Sequence, residues 1–337
     1  MTAATNPVYS PRFELDVGGT TYQETGGRVG NLTVETTVDG ADMCRFTLNY
    51  PYDPEHQDFD ELDWGAIDPG TEVEASVGWG GEGTVEPVFV GTSQSVSVDF
   101  SPEGGQTVDV TAYGVLHEMM QGVVERSWSE TTVVDVAKEV LNEYFSTVEV
   151  DGNGSERNRI IQHGQNDYRF VRQLADDYGF EFYAERDTAY FTQRSSLKDD
   201  PELTLTYGNT LDTFAAEISE ADLVETVEVR YWDMSTEKEI VGEASNQTGE
   251  GKEVFRVTCD SQEEADDIAK SRLDALSMAR ATGYGETDGI PDLTAGTVIE
   301  IQDLGDRFDR SYYVTRAAHR LSTAGYRTAF DVKELPE

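Results

Sequence analysis

The residue patterns in this chain that could carry chemistry each lack a part. His117-Glu118-Met119-Met120 begins as a zinc-binding His-Glu-x-x-His helix would, but Gln121 stands where the second histidine must be. Two histidines one helical turn apart bring two imidazole nitrogens to one zinc ion, so with only one of them the site fails. Gly78-x-Gly80-x-x-Gly83 spells a dinucleotide fingerprint. That pattern works only when a helix follows, because helix amides and dipole hold the pyrophosphate. Here the run from Thr84 to Val90 is strand-like and contains Pro87, which predicts a hairpin turn. Asp151-x-Asn153-x-Ser155 opens like a calcium loop. The loop needs glycine at its sixth position and a bidentate glutamate at its twelfth, and Glu156 and Gln162 occupy them. No Gly-x-Ser-x-Gly elbow and no Walker loop occurs. The four histidines, His56, His117, His163 and His319, read as surface or half-buried polar residues. Cys44 and Cys259 match no zinc spacing and read as buried free thiols, with a disulfide as the alternative. These residues point to no catalytic site, no cofactor and no metal ion, and the expectation is a protein that is not an enzyme.

The surrounding elements read as mainly β. Strict alternation marks strands at Gln94 to Phe100 and Thr107 to Tyr113, and glycine pairs such as Gly18-Gly19, Gly26-Gly27, Gly80-Gly81 and Gly104-Gly105 separate such runs. A helix is predicted around Val133, Val136, Ala137, Val140, Leu141 and Tyr144. A second runs from Asp167 to Tyr178, with Asn166 as N-cap and Gly179 as the residue after its end. Strands follow at Phe180 to Tyr183 and Ala189 to Thr192, then at Leu203 to Tyr207 and Val227 to Tyr231. A third helix is predicted over Gln262 to Ala281, opened by the capping box Ser261-x-x-Glu264, with Ala265, Ile268, Ala269, Leu273, Leu276 and Ala279 as its apolar stripe. The chain closes in strands at Thr297 to Ile301, Ser311 to Thr315 and Arg327 to Val332. The fold class is α+β, mainly β. The expected division is a β-domain over 10–118, an α+β insert over 119–199, a second β-domain over 200–255 and 285–337, and a helical insertion over 256–284.

Composition bounds the setting. The chain has 337 residues, 37% of them hydrophobic, enough for packed cores. No run of 18 apolar residues occurs, and the N-terminal stretch lacks a basic segment followed by an apolar one, so neither a membrane span nor a secretory signal is expected. The net charge is −41, from 66 Asp and Glu against 25 Lys and Arg. The acids interleave with apolar residues along the chain, as in Asp60 to Asp68 and Gln262 to Lys270, which reads as a solvated surface on folded domains. Such charge strains a compact state, and at about 1 M salt a Debye length of roughly 3 Å screens it. Only 6 of the 25 basic residues are lysine. An acidic, lysine-poor chain fits the cytoplasm of a halophile or its viruses, with an ordinary acidic protein as the alternative, and it argues against nucleic acid and anionic membranes as direct partners and against membrane insertion.

A resemblance runs along the whole chain. Arg28 to Leu48, with Val29-Gly-Asn-Leu-Thr-Val34, Val38-Asp-Gly-Ala-Asp42 and Arg45-Phe-Thr-Leu48, is its first segment. Pro87-Val-Phe-Val-Gly91 and Ala112-Tyr-Gly-Val-Leu116 follow. The densest part is Gln162 through Tyr183, carrying Gln162, Asp167, Tyr168, Phe170, Leu174 and Gly179. Trp232 and Asp233 end the next segment, and Gly296, Gly305, Phe308, Tyr313 and His319 mark the last. In this order and spacing the chain resembles the hub family of contractile tails: phage late control protein D, the T4-type tail hub and the N-terminal part of VgrG spike proteins.

The resemblance implies a structural baseplate hub with two β-barrel-like domains. As a homotrimer it would form a pseudo-sixfold ring that adapts a sixfold tail tube to a threefold spike. The motif residues would hold the scaffold. The implied partners are other copies of the chain, a separate spike protein, the tail tube protein and baseplate wedge proteins, with assembly in a halophile's cytoplasm before incorporation into a virion tail or a released contractile particle. Two rivals stand beside it. One is a carbohydrate-binding or other β-rich protein with Trp79, Trp232 and Tyr284 lining a groove, and the other is a different baseplate adaptor.

Overall fold

The computed structural model describes residues 10–80, 85–101, 105–152, 156–197, 200–219, 223–234, 237–246, 250–259 and 261–335. Gly81, Gly83, Gly104, Asn153 and Ser155, singled out above, lie outside the described residues.

The chain is α+β, mainly β. Thirteen strands join in one large sheet. Its path runs Thr20–Gln23, Pro11–Val17, Glu72–Trp79, Val85–Ser101, Gly105–Gly114, Met43–Leu48, Val29–Thr37, Arg310–Ser322, Gly325–Glu334, Ala281–Asp288 and Thr213–Ile218. Val298–Gln302 pairs with the first part of the Arg310–Ser322 strand and carries Leu203–Thr206 on its other side. The expected hairpin after Gly80 is an antiparallel pair, with Gly78 opposite Val85.

The alternation that predicts strands is the alternation of burial. Along Val29–Thr37, Leu32, Val34 and Thr36 are buried while Thr33, Glu35 and Thr37 are half-exposed, since successive side chains leave opposite faces of a pleat. The apolar face builds a first core around Leu15, Val34, Phe46, Val73, Phe89 and Val110. Leu321 and Tyr326 from the far end of the chain belong to the same core. A second core of the large sheet gathers Leu205, Ile299, Tyr312, Val314 and Phe330. The strand Arg310–Ser322 joins these two regions. Its first residues pair with Val298–Gln302, and Arg316 to Leu321 pair with Thr37 to Leu32.

Between the strands Gly105–Gly114 and Leu203–Thr206 the chain forms the helix Val133–Leu141, here α1, and the helix Asp167–Tyr178, here α2. They pack on Phe180–Glu185 and Thr188–Gln193 around Val136, Phe170, Phe182 and Phe191. The strands Thr226–Asp233, Lys238–Ser245 and Lys252–Arg256 form a separate three-stranded sheet covered by α3, Gln262–Ser277. Val227, Val229, Ile268 and Cys259 form the core between them.

α3 ends earlier than expected. A 3-10 turn, Met278–Arg280, follows Ser277, and Ala281 already belongs to a strand of the large sheet. That strand is held on both sides, by Thr213–Ile218 and by Gly325–Glu334, so ladder bonds outcompete continuation of the helix. Cys44 and Cys259 are both buried, in two different cores. His319 departs from the expected surface or half-buried setting. It is 0% exposed, because its position in the sheet turns the ring into the interior beside Tyr326.

Candidate functional site

The densest motif segment builds the start of α2. Asn166 is extended at φ −76° and ψ 167°, and its side-chain oxygen accepts from the Arg169 amide at 2.9 Å, an N-cap that answers one of the helix's orphan amides. Its side-chain nitrogen donates to the Met120 carbonyl at 2.9 Å, which ties the cap to the end of the short helix Leu116–Met119. Asp167 follows in the first turn, where its charge also suits the positive helix end. It is buried, and three side chains donate to it: Gln162 Nε2 at 2.6 Å, Tyr144 Oη at 2.7 Å and Arg126 at 3.2 Å. Burial, and then the hydrogen bond to Asp167, push the Tyr144 pKa up to about 12. Phe170 stacks on Trp128 with ring centroids 5.4 Å apart, Tyr168 leans on Phe182 at 5.9 Å, and Leu174 is buried on the same core face. Gly179 ends the helix at φ 77°, its amide reaching the Ala175 carbonyl, and a Cβ there would lie 2.9 Å from Ser271 Oγ on α3.

A second polar cluster lies where α2, α3 and the large sheet meet. Glu181 and Arg194 pair at 2.7 Å, both nearly buried. Arg194 also donates to the carbonyls of Ser271 at 3.2 Å and Phe180 at 3.3 Å, and Lys333 of the C-terminal strand stands 3.6 Å from Glu181. Burial opposes ionisation of Glu181, but the Lys333 ammonium and the Arg194 guanidinium outweigh it and hold its pKa below the usual range. Nearby, Tyr178 donates to Glu264 at 2.9 Å, and Arg157 pairs with the same carboxylate. A buried charge costs several kcal/mol unless it is paired, so these pairs commit the three elements to one arrangement.

The remaining motif residues stand apart from this cluster or on its edge. Tyr313 is fully buried among Val38, Met278 and Val298, with Tyr183 of the strand Phe180–Glu185 against the same group, and burial drives its pKa well up. Gly296 lies against Tyr183 so closely that a Cβ would fall 2.4 Å from the ring. His319 Nδ1 lies 2.9 Å from the Tyr326 hydroxyl and 3.1 Å from that of Thr328, and burial pushes its pKa down to about 4. Trp79 stacks on Tyr326 and its indole N–H donates to the Gly289 carbonyl at 2.6 Å. Gly305 turns an exposed loop whose Phe308 amide donates back to its carbonyl at 2.8 Å. Trp232 is 54% exposed on the three-stranded sheet, and Asp233 sits opposite Lys238 at the end of the same hairpin. Trp79, Trp232 and Tyr284 lie on three strands that are not neighbours.

Sequence reasoning gave Tyr144 and Glu264 only local helical roles and missed Arg126, Glu181, Arg194 and Lys333. Each gains its meaning from a distant partner, and in a chain with 66 acidic residues no local signal marks a particular one. Among the described residues, no group of three His, Cys, Asp or Glu is placed to hold a metal ion, and no helix is long and apolar enough to cross a membrane.

Residues 61–325 match the model of the phage tail baseplate hub (GPD) family. No curated protein matches. Among solved structures, the tail protein of Neisseria meningitidis MC58 superposes with a TM-score of 0.73 at 16% identity, covering 96% of this chain and 97% of its own. The 43 kDa tail protein of prophage MuSo2 from Shewanella oneidensis gives 0.73 at 14% identity, covering 96% and 98%. An E. coli component of the type VI secretion system gives 0.57 at 12% identity, covering 92% and 73%. At these identities the likeness is one of fold.

Proposed function

The chain belongs to the phage tail baseplate hub (GPD) family, and from that premise we propose that it is the structural hub of a contractile tail or injection system, adapting a sixfold tube to a threefold spike as a homotrimer. The observation that supports this most is the pairing of Arg316 to Leu321 with Thr37 to Leu32. It fuses an N-terminal and a C-terminal β-region into one continuous sheet. A body with two β-regions, repeated three times about an axis, offers six comparable surfaces to a tube. In this reading 10–118 and 200–255 with 285–337 are the tube-facing domains, while 119–199 and 256–284 are additions around them. The motif residues from Gln162 to His319 hold these parts in place, and the chain carries out no catalysis.

The partners are further copies of the chain, the tail tube, a spike protein and the baseplate wedge. The strong negative charge suits assembly in concentrated salt, in the cytoplasm of a halophile. Light scattering after size exclusion in molar salt is expected to return three times the 37.3 kDa protomer mass. A stable monomer at high protein concentration would overturn the trimer. Negative-stain images of particles co-assembled with tube and spike should place the chain on the axis between them.

A further inference from the structure

A cleft of about 660 Å³ separates the insert from the three-stranded sheet. Strand Glu156–Gln165 lines one wall, and Lys252–Arg256 with the segment 257–258 lines the other. Two arginines deeper in the cleft are already neutralised, Arg157 by Glu264 and Arg272 by Asp177. Their guanidinium groups lie 5.2 Å from the ring centres of Tyr178 and Phe255, respectively. Arg159 and Arg256 differ. They stand on opposite walls, both exposed, and no ion pair to a described residue engages either. This places two arginines with no ion pair to a described residue beside one space. Ile161, 53% exposed, adds an apolar surface beside them.

The walls also present backbone. Arg159, Ile160 and Ile161 all line the cleft. Successive strand side chains point to opposite faces, so consecutive lining residues mean that the cleft runs along the strand's edge. Among the described residues, Glu156–Gln165 pairs only with Val124–Thr132, and Lys252–Arg256 is an outer strand of its sheet. Unpaired edge amides and carbonyls are a template for another extended chain.

We propose that this cleft binds an extended acidic peptide segment of a partner protein, with its carboxylates on Arg159 and Arg256 and an apolar side chain against Ile161. A guanidinium fork matches a carboxylate in two parallel hydrogen bonds. The strand edge takes the peptide backbone, and the apolar patch takes a side chain that a sugar-phosphate strand does not have. The site is independent of the hub reading, since it rests only on this cleft and its charge.

The test uses the full chain and fluorescence anisotropy with a labelled nonapeptide of alternating Glu and Val. Saturable binding is expected. The double variant R159E/R256E should bind about tenfold more weakly or worse, as should a peptide with Gln in place of Glu. R159K/R256K should fall between, because it keeps charge and loses the fork. Both arginines are exposed, so the variants should unfold at the same midpoint as the parent, which separates lost binding from lost fold. The proposal fails if the parent does not bind the peptide, if charge reversal leaves binding unchanged, or if an oligothymidine of equal charge binds better. It fails too if the peptide does not bind while charge reversal splits an oligomer in light scattering, since a second copy then fills the cleft.

Discussion

Gln162 and Asp167 meet through a 2.6 Å hydrogen bond in which the Gln162 amide donates to the Asp167 carboxylate, and both side chains are almost fully buried. Tyr144 and Arg126 donate to the other oxygen, so one carboxylate collects two strands, the turn after α1 and a helix start. The spacing of a glutamine and an aspartate five residues apart thus has a physical meaning: it locks the first turn of α2 onto the strand before it. Asp167→Ala should leave these donors without their acceptor and lower stability by about 3 kcal/mol. Asp167→Asn should cost less, because one acceptor oxygen remains. Chemical denaturation measures both, and a loss near zero for the alanine variant would mean that the cluster does not hold the helix.

Two buried groups give opposite pH dependences. His319 is neutral in the fold down to about pH 4, whereas an unfolded histidine takes up a proton below about 6.5. Its contribution is fully present above 6.5 and is lost as pH falls toward 4, since the unfolded state binds the extra proton. His319→Gln should flatten that loss. Burial pushes Asp42 up to about 8, even though the Thr37 amide donates to it at 3.0 Å. Here the folded state holds the proton, so stability is lost as pH rises from about 4 toward 8. Asp42→Asn should therefore gain on the parent as pH rises. Unfolding midpoints across pH 4 to 8 for the three proteins check both signs.

Gly296 and Gly305 share a left-handed backbone, at φ 96° and 91°, but differ in their surroundings. A Cβ on Gly305 meets open space, and one on Gly296 meets the Tyr183 ring. Gly305→Ala should cost about 1 kcal/mol, from backbone strain alone. Gly296→Ala should cost clearly more, because Tyr183 is itself packed against the core around Tyr313 and Val298. Equal thermal shifts for the two would show that the Tyr183 contact gives way freely.

Salt should stabilise the chain strongly. Raising sodium chloride from 0.1 M to 1 M shortens the Debye length from about 10 Å to about 3 Å, and the repulsion among the excess acids falls with it. The melting temperature is expected to rise through this range. An unchanged melting temperature would mean that the charge does not strain the fold.

The helices and strands were legible because their signals are local. The Asn166 cap and the Gly179 terminus act within one turn of α2, and Ser261 caps α3 through the Glu264 amide at 3.2 Å. The alternation in Thr107 to Tyr113 depends only on a pleat of two residues. The end of α3 was misjudged because a ladder with strands that are distant in sequence, and not a helix-stop residue, decides where it stops. His319 was misjudged for a related reason: the strand runs past the expected Thr315 to Ser322, and pairing with Val34 from the distant N-terminal region encloses it.

By itself, the sequence determined the mainly β class, the caps, the hub resemblance and the acidity, all of which depend on residue type and short spacing. Tertiary structure alone decided that Glu35 would meet Arg316 across 281 positions, that Glu181 would find Arg194 and Lys333, and that Arg159 and Arg256 would face one cleft. A strand carries the same alternation whichever edge it joins, and a charge has the same identity whether or not a partner lies beside it. Only the pairing of distant segments selects the register and determines which charges are buried together.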